Sequence, residues 1–136
     1  MTTDRKTALE LVDRLYELRS DEDIEGMVGL MTDDFVFNTH APRSVMSFAG
    51  VKSGREEVIA YFKALDQEWA FEEYEIKERI VDGDRAAVVS NIRFVYRATG
   101  KTLAIRKVDL LGLRDGQICS FDEHFDSAAA AECQAP

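Results

Sequence analysis

Cysteine and proline are scarce in this sequence and positive charge is outnumbered, and each shortfall excludes something. The two cysteines among 136 residues, Cys119 and Cys133, are too few for a disulfide scaffold and lack the spacing of a metal site, so both are expected as reduced thiols. With only two prolines, no repeat, low-complexity tract or domain linker breaks the chain. No apolar run approaches the roughly 20 residues that a helix needs to cross a bilayer. The opening Met1-Thr2-Thr3-Asp4-Arg5-Lys6 is followed by no apolar stretch of signal-peptide type, so a cytoplasmic protein without membrane contact is expected. Lys and Arg number 17 against 26 Asp and Glu, a net charge of −9, and no basic cluster stands out. A nucleic-acid binder needs a cationic face to displace counterions from phosphates, so no nucleic-acid partner is expected. The acidic excess serves solubility.

What remains is ordinary globular material. An apolar fraction of 46% and a charged fraction of 32% fit neither a disordered chain nor a membrane protein. The length suits a single domain over residues 1–136, large enough to bury a core without staples.

The first third reads as helix. Leu11, Leu15 and Leu18 recur at helical spacing, with Ala8 and Val12 beside them. Ser20-Asp21-Glu22-Asp23 interrupts the pattern and offers caps for a second helix, which carries Ile24, Met27, Val28 and Met31 on one face and ends at Asp33-Asp34. Residues 35–39 then read as a short strand, and residues 40–52, with Pro42 and Gly50, as a connection. Ser53-Gly54-Arg55-Glu56 has the form of a capping box. The helix it opens buries Val58, Ile59, Phe62 and Leu65 and runs to about Trp69.

The second half reads as strands. Tyr74, Ile76 and Ile80 alternate with charged residues, and Asp82-Gly83, Thr99-Gly100 and Asp115-Gly116 each sit between β-rich runs as hairpin signals. Residues 71–81, 85–97, 102–113 and 117–126 should form an antiparallel meander, mixed with the strand at 35–39. Ala128–Ala131 should be a short helix or frayed tail. The class is α+β: three N-terminal helices packed on a strongly curved, mainly antiparallel sheet, cone-shaped around an apolar pocket.

Three stretches carry a family resemblance: Asp23-Ile24-Glu25-Gly26-Met27-Val28-Gly29-Leu30-Met31-Thr32-Asp33-Asp34, then Gly54-Arg55-Glu56-Glu57-Val58, and an ending from Gly116-Gln117-Ile118 through Phe121-Asp122-Glu123-His124-Phe125-Asp126. In this order they resemble the nuclear transport factor 2-like superfamily, with its SnoaL-like and ketosteroid-isomerase-like branches. The resemblance covers nearly the whole chain and is specific for fold, whereas the fold hosts isomerases, cyclases, hydrolases, dehydratases and non-catalytic binders. In the ketosteroid isomerases a general-base Asp follows the first strand, and Thr39 stands there in this chain, between Asn38 and His40. Their Tyr on the first helix matches Leu15, with Tyr16 one residue on. Their acid in the penultimate strand matches Asp109. An Asp in the last strand of limonene-epoxide hydrolases matches Glu123, but the Arg-x-Asp pair of that branch has only Asn91-Ile92-Arg93 near its place. The SnoaL-like cyclases work with an acid and nearby polar groups, without metal or cofactor.

On chemistry alone, Asp109 lies among aliphatic residues, where a carboxylate must be paired, hydrogen-bonded or protonated. It reads equally as a pocket acid and as an ion-pair partner of Lys107 or of a neighbouring strand. Glu123 alternates with Phe121 and Phe125 and reads either as a base facing the cavity or as a salt-bridge partner of Lys107. Asp122 and His124 should point to the convex face. His40 is placed near the cavity mouth, where it could titrate near neutrality or serve no purpose. Tyr16, Phe37, Thr39, Phe62, Trp69 and Lys107 join these as expected pocket residues. No metal-ligand spacing, phosphate loop or Ser-His-Asp order appears, so neither metal nor cofactor is expected.

The last hairpin decides which side chains share a face. A two-residue loop at Asp115-Gly116 sets Asp109 against Asp122. A three-residue loop with Gly116 left-handed sets Asp109 against Phe121 and Lys107 against Glu123. The second is expected, because it separates two like charges and gathers Leu111, Leu113, Phe121 and Phe125 on one apolar face, so Asp109, Phe121 and Glu123 should face one cavity. The function expected is acid/base chemistry (isomerisation, cyclisation, dehydration or hydrolysis) on a small apolar molecule, with Asp109 and Glu123 as acid and base and Tyr16 and His40 as helpers. The alternatives are a binding protein of the same fold and a purely structural dimerisation module. A homodimer is expected through the convex face, where Val108 and Leu110 need cover.

Overall fold

The computed structural model describes residues 3–136. Helix α1 (Arg5–Ser20) is capped by the Asp4 carboxylate, which accepts from the Thr7 N–H. It buries Ala8, Leu11, Val12, Leu15, Tyr16, Leu18 and Arg19. Helix α2 (Ile24–Gly29) is capped by Asp23, which accepts from the Gly26 N–H. It ends well before Asp33, and Met31 already opens strand β1 (Met31–His40). Two effects shorten the helix. Gly26 and Gly29 weaken its interior, and the Ile118 N–H claims the Leu30 carbonyl at 2.9 Å, which draws the following backbone into the sheet.

The stretch expected to be a plain connection contains strand β2 (Gly50–Ser53), antiparallel to β1 from Val36↔Ser53 to Thr39↔Gly50. Lys52 is the only residue of this short edge strand that is buried, so alternation had too little sequence in which to show. Helix α3 (Gly54–Glu68) follows. Ser53 occupies its cap position without a side-chain cap bond. The reciprocal half of the box is made by Glu57 in place of Glu56, the Ser53 N–H donating to Glu57 Oε2 at 2.6 Å. The buried face of α3 is Val58, Tyr61, Phe62 and Leu65.

Strands β3 (Trp69–Asp82), β4 (Arg85–Tyr96), β5 (Thr102–Arg114) and β6 (Gln117–His124) form the meander. A fourth helix, α4 (Ser127–Gln134), closes the chain, so the helices number four among the described residues. Thr99 Oγ1 donates to the Cys133 carbonyl at 2.6 Å and Lys101 Nζ to the Ala135 carbonyl at 2.7 Å. These bonds give the alanine run a docking place that its composition did not announce.

The six strands form one sheet in the order β2-β1-β6-β5-β4-β3. β1 and β6 are parallel and the other neighbours antiparallel, so the sheet is mixed. Register shifts interrupt β3 against β4 twice and β5 against β6 once. Such bulges bend a strand and increase its twist, and the sheet curves around α1 and α3.

The β5–β6 hairpin departs from the expected geometry and still reaches the expected faces. Arg114 pairs with Gln117, so the loop has two residues, and Asp115 (φ 51°) and Gly116 (φ 76°) are both left-handed, as a type I′ turn requires. The register then slips by one: Leu113 pairs with Ile118 but Gly112 with Ser120, leaving Cys119 as the extra residue. Gly112 allows the close approach, since a Cβ there would lie 2.3 Å from Ser120 Oγ. Beyond the bulge Leu111 opposes Phe121 and Asp109 opposes Glu123. Lys107 is therefore not directly opposite Glu123, and Asp109 is opposite neither Phe121 nor Asp122.

Candidate functional site

Between the concave sheet face and the helices lies a cavity of about 50 Å³, several times what one water needs (~10–15 Å³). Its walls are mostly aromatic and aliphatic. α1 contributes Leu15, Tyr16 and Arg19, α3 contributes Tyr61, Phe62 and Leu65, and β1 contributes Met31 and Phe37. Met46 and Phe48 come from the β1–β2 connection, and Trp69, Tyr74, Ile92, Phe94, Leu103, Phe121 and Phe125 from the meander side. Phe37 stacks on Phe121 with ring centroids 4.6 Å apart.

One wall is polar. Lys107 Nζ is 2.7 Å from Glu123 Oε2 and 3.4 Å from Asp109 Oδ1, and donates to the Tyr74 hydroxyl at 2.8 Å. Tyr16 donates to Asp109 Oδ2 at 2.5 Å, and Tyr74 reaches the same oxygen at 3.4 Å. Glu123 Oε1 accepts from Tyr61 at 2.9 Å and from Thr39 at 3.3 Å. Lys52 Nζ donates to Thr39 Oγ1 and to the Gly50 carbonyl, both at 2.9 Å, and lies 4.3 Å from the Tyr61 ring centroid. The cluster is thus two carboxylates around one shared ammonium, fenced by three tyrosine hydroxyls.

Burial and charge divide the two acids. Burial pushes the Asp109 carboxyl up to about 6, against the pull of Lys107 and with the push of Glu123. Burial raises Glu123 as well, but there Lys107 and the Tyr61 hydrogen bond win, and the carboxyl stays below its ordinary value. Lys107 loses by burial and gains more from Asp109 and Glu123, so it remains a firm cation. Tyr16 and Tyr61 are pushed well above the ordinary phenol value, first by burial and then by the carboxylates. They are neutral donors at any physiological pH. Burial lowers Lys52 to about 8.

Of the residues expected at the pocket, Tyr16, Phe37, Phe62, Trp69, Lys107, Phe121, Glu123 and Phe125 line the cavity. Asp109 and Thr39 stand one layer back. Asp109, with no exposed surface, meets the cavity only through Tyr16, Tyr74 and Lys107. His40 lies elsewhere. Thr39 points inward, so by the two-residue period of a strand His40 points outward. There its Nε2 is 2.8 Å from Asp122 Oδ1 and its ring stacks on His124.

Four participants were not singled out from sequence. Tyr61 lies three after Val58 and four before Leu65, the inward spacing of α3. Tyr74 shares the inward alternation of Ile76. Arg19 follows Leu15 by four residues and Tyr16 by three, although its charge argues for the surface. Lys52 had no legible pattern. Both cysteines are free. Among the described residues no three His, Cys, Asp or Glu side chains are placed to hold a metal ion, and no helix is long and apolar enough to cross a membrane.

A parallel β1–β6 pair inside an otherwise antiparallel curved sheet, with helices over its concave face, is the NTF2-like architecture. The family model of the SnoaL-like domain matches residues 12–121, and the chain belongs to that family. No curated protein matches the sequence. Among solved structures, an NTF2-like protein of unknown function from Burkholderia pseudomallei K96243 is similar with TM-score 0.89 and 22% identity, over 96% of this chain and 98% of that one. TerC, co-crystallised with polyporic acid, superimposes with TM-score 0.84 and 23% identity over 93% and 97%. A protein with a ketosteroid-isomerase-like fold from Catenulispora acidiphila DSM 44928, in complex with trimethylamine, gives 0.78 and 17% over 93% and 94%. At these identities the likeness is one of fold.

Proposed function

We propose that this protein binds a small, mostly apolar, oxygen-bearing molecule in a cone-shaped pocket and moves a proton on it without a cofactor. The observation that carries the reading is the polar wall of the cavity, where the two carboxylates have unequal proton affinities and Tyr16 connects one of them to the ligand space. In this scheme the Glu123 carboxylate accepts a proton from a carbon next to a ligand carbonyl. The electron pair of the broken C–H bond shifts to the carbonyl oxygen, which receives a proton from Tyr16, and Tyr16 is resupplied by protonated Asp109. Asp109 is a positioning and relay residue, since it does not touch the ligand space. Isomerisation, aldol-type cyclisation and loss of water next to a carbonyl each have a route through such an enol. TerC was co-crystallised with polyporic acid and the Catenulispora protein is in complex with trimethylamine, which supports small-molecule binding as the reading for this chain.

A second reading has its own support. Lys107 sits between both acids, as expected of a pocket that binds without chemistry, and it weakens Glu123 as a base. Exchange of the methyl protons of acetophenone in D2O, followed by NMR, separates the two. Catalysis predicts exchange accelerated by the wild type and at least about tenfold slower with Glu123→Gln. Acetophenone that binds with no accelerated exchange leaves the binding protein as the answer. The proposal further includes a cytoplasmic homodimer associating through the convex face, and a single domain over the whole chain.

A further inference from the structure

The polar wall at Lys107 is not the only polar feature of the cavity. Arg19, also a lining residue, keeps a guanidinium almost entirely out of solvent, its side chain 6% exposed. Nη2 reaches Asp66 Oδ1 at 3.3 Å, and the group lies 5.3 Å from the ring centroid of Phe62 and 5.9 Å from those of Phe71 and Phe94. Its Nη1 is buried and has no hydrogen-bond partner among the described residues, and the same holds for Nε1 of Trp69, another lining residue. The two belong to one end of the cavity. Asp66, the partner of Arg19, precedes Trp69 by three residues, and Trp69 pairs with Tyr96 beside the Phe71↔Phe94 pair.

A buried donor without an acceptor costs about 1–3 kcal/mol, and two of them at one end of a ligand cavity call for an acceptor that the protein does not supply. Tyr16 and Arg19, three residues apart on α1, project from one helix face about one turn apart. The cavity thus has two polar stations along the helix, Tyr16 with its acids and Arg19 with Trp69.

Resting on the pocket reading above, we propose that Arg19 and Trp69 form a second anchor, which accepts a neutral carbonyl oxygen of the ligand. A neutral oxygen fits better than a carboxylate because Asp66 already balances the Arg19 charge, and an anion would leave an uncompensated charge in an apolar site. The ligand is therefore a compact ring system oxygenated at two separated positions, one oxygen at Tyr16 and the other at Arg19.

Two probes isolate the second anchor. 1,4-Diacetylbenzene and 4-isopropenylacetophenone have the same shape and differ at one end by an oxygen against a CH2 group. Trp69, the single tryptophan of the chain, reports their binding by fluorescence. The diketone should bind the wild type at least about tenfold more tightly, the scale of one hydrogen bond to a charged donor. In Arg19→Met, where Trp69 Nε1 is the one donor left at that end, the ratio should fall at least threefold, toward the statistical factor of about two for a ligand with two equivalent ends. Arg19→Lys keeps the charge beside Asp66 and loses the planar fork. It should lower the ratio at least threefold, and it serves if the Met variant does not fold. A purely structural Arg19 would lower the melting temperature and leave the ratio unchanged, which overturns the proposal. Tighter binding of 4-acetylbenzoate than of the diketone overturns the neutral-oxygen assignment. Equal binding of both probes to the wild type sinks the second anchor alone, whereas binding of neither sinks the pocket reading and this proposal together.

Discussion

Glu123 and Asp122 are neighbours on β6, and each carboxylate has a nitrogen partner at nearly the same distance, 2.7 Å to Lys107 Nζ and 2.8 Å to His40 Nε2. The first pair faces the cavity, with side chains 8% and 10% exposed. The second faces outward, at 38% and 37%. Bond length therefore does not rank them. In the mostly apolar cavity water is a poor replacement for a lost partner, so removing one strands the other in a medium that solvates charge poorly. On the convex face water replaces it at once. The Lys107 cluster keeps two acids and their shared ammonium away from water, and burial there raises the proton affinity of Asp109, while the outer pair is open to solvent.

The largest expected effect comes from removing the shared ammonium. Lys107→Met strands both Asp109 and Glu123 and should cost about 3–5 kcal/mol at pH 7.5, read from urea unfolding. The cost should shrink at pH 5, where Asp109 takes up a proton. A loss below about 1 kcal/mol at pH 7.5 would mean that the cluster is wetter or more mobile than its geometry shows.

Next in size is a pH dependence specific to Asp109. Its carboxyl goes from an ordinary 3.8 to about 6 on folding, so the folded state binds the proton more tightly than the unfolded one. That contribution to stability is fully present below 3.8 and is lost as pH rises through about 6. Asp109→Asn lacks it. The wild type should therefore lose ground to the Asn variant between pH 4 and pH 7, by at most roughly 3 kcal/mol. Glu123 has the opposite slope, its stabilisation present above 4.5 and lost as pH falls. Because Glu123 is present in both proteins, the difference between their melting curves reports Asp109 together with its coupling to Glu123. A difference that does not change with pH would place the raised proton affinity elsewhere.

The sequence made these faces legible through alternation. Phe121, Glu123 and Phe125, and separately Lys107, Asp109 and Leu111, each read as one face from the period of two. Their mutual register was harder, because a two-residue I′ turn and a bulge at Cys119 displace the chain in compensating ways, and a turn signal sees only the first. His40 was misplaced because residues 35–39 were read as the strand and residue 40 as a loop. β1 runs through His40, which puts that ring outside. Lys52 and Arg19 escaped for a different reason. A charged side chain turns inward only where tertiary neighbours hold it, such as Thr39 and Gly50 for Lys52 and Asp66 with three phenylalanine rings for Arg19. No local pattern records those neighbours.

The smallest expected effect tests the outer face. Asp122→Asn removes the partner of His40 while preserving shape, and in an isolated chain it should change stability by no more than about 0.5 kcal/mol, less still in high salt. Its value lies in how it depends on protein concentration. Around this pair the convex face carries Val36 at 36%, Leu110 at 39% and Ile80 at 58% exposure, apolar area that a second copy of the chain would cover under the proposed dimer. Covered, the His40–Asp122 pair would lose its water and take on the energetics of the inner pair. The effect of Asp122→Asn should then grow past 1 kcal/mol at protein concentrations where sedimentation shows a dimer, and vanish on dilution to monomer. An effect that stays small across a demonstrated dimerisation would put the contact on another surface. An effect that is large in the monomer would erase the distinction between the two faces of β6.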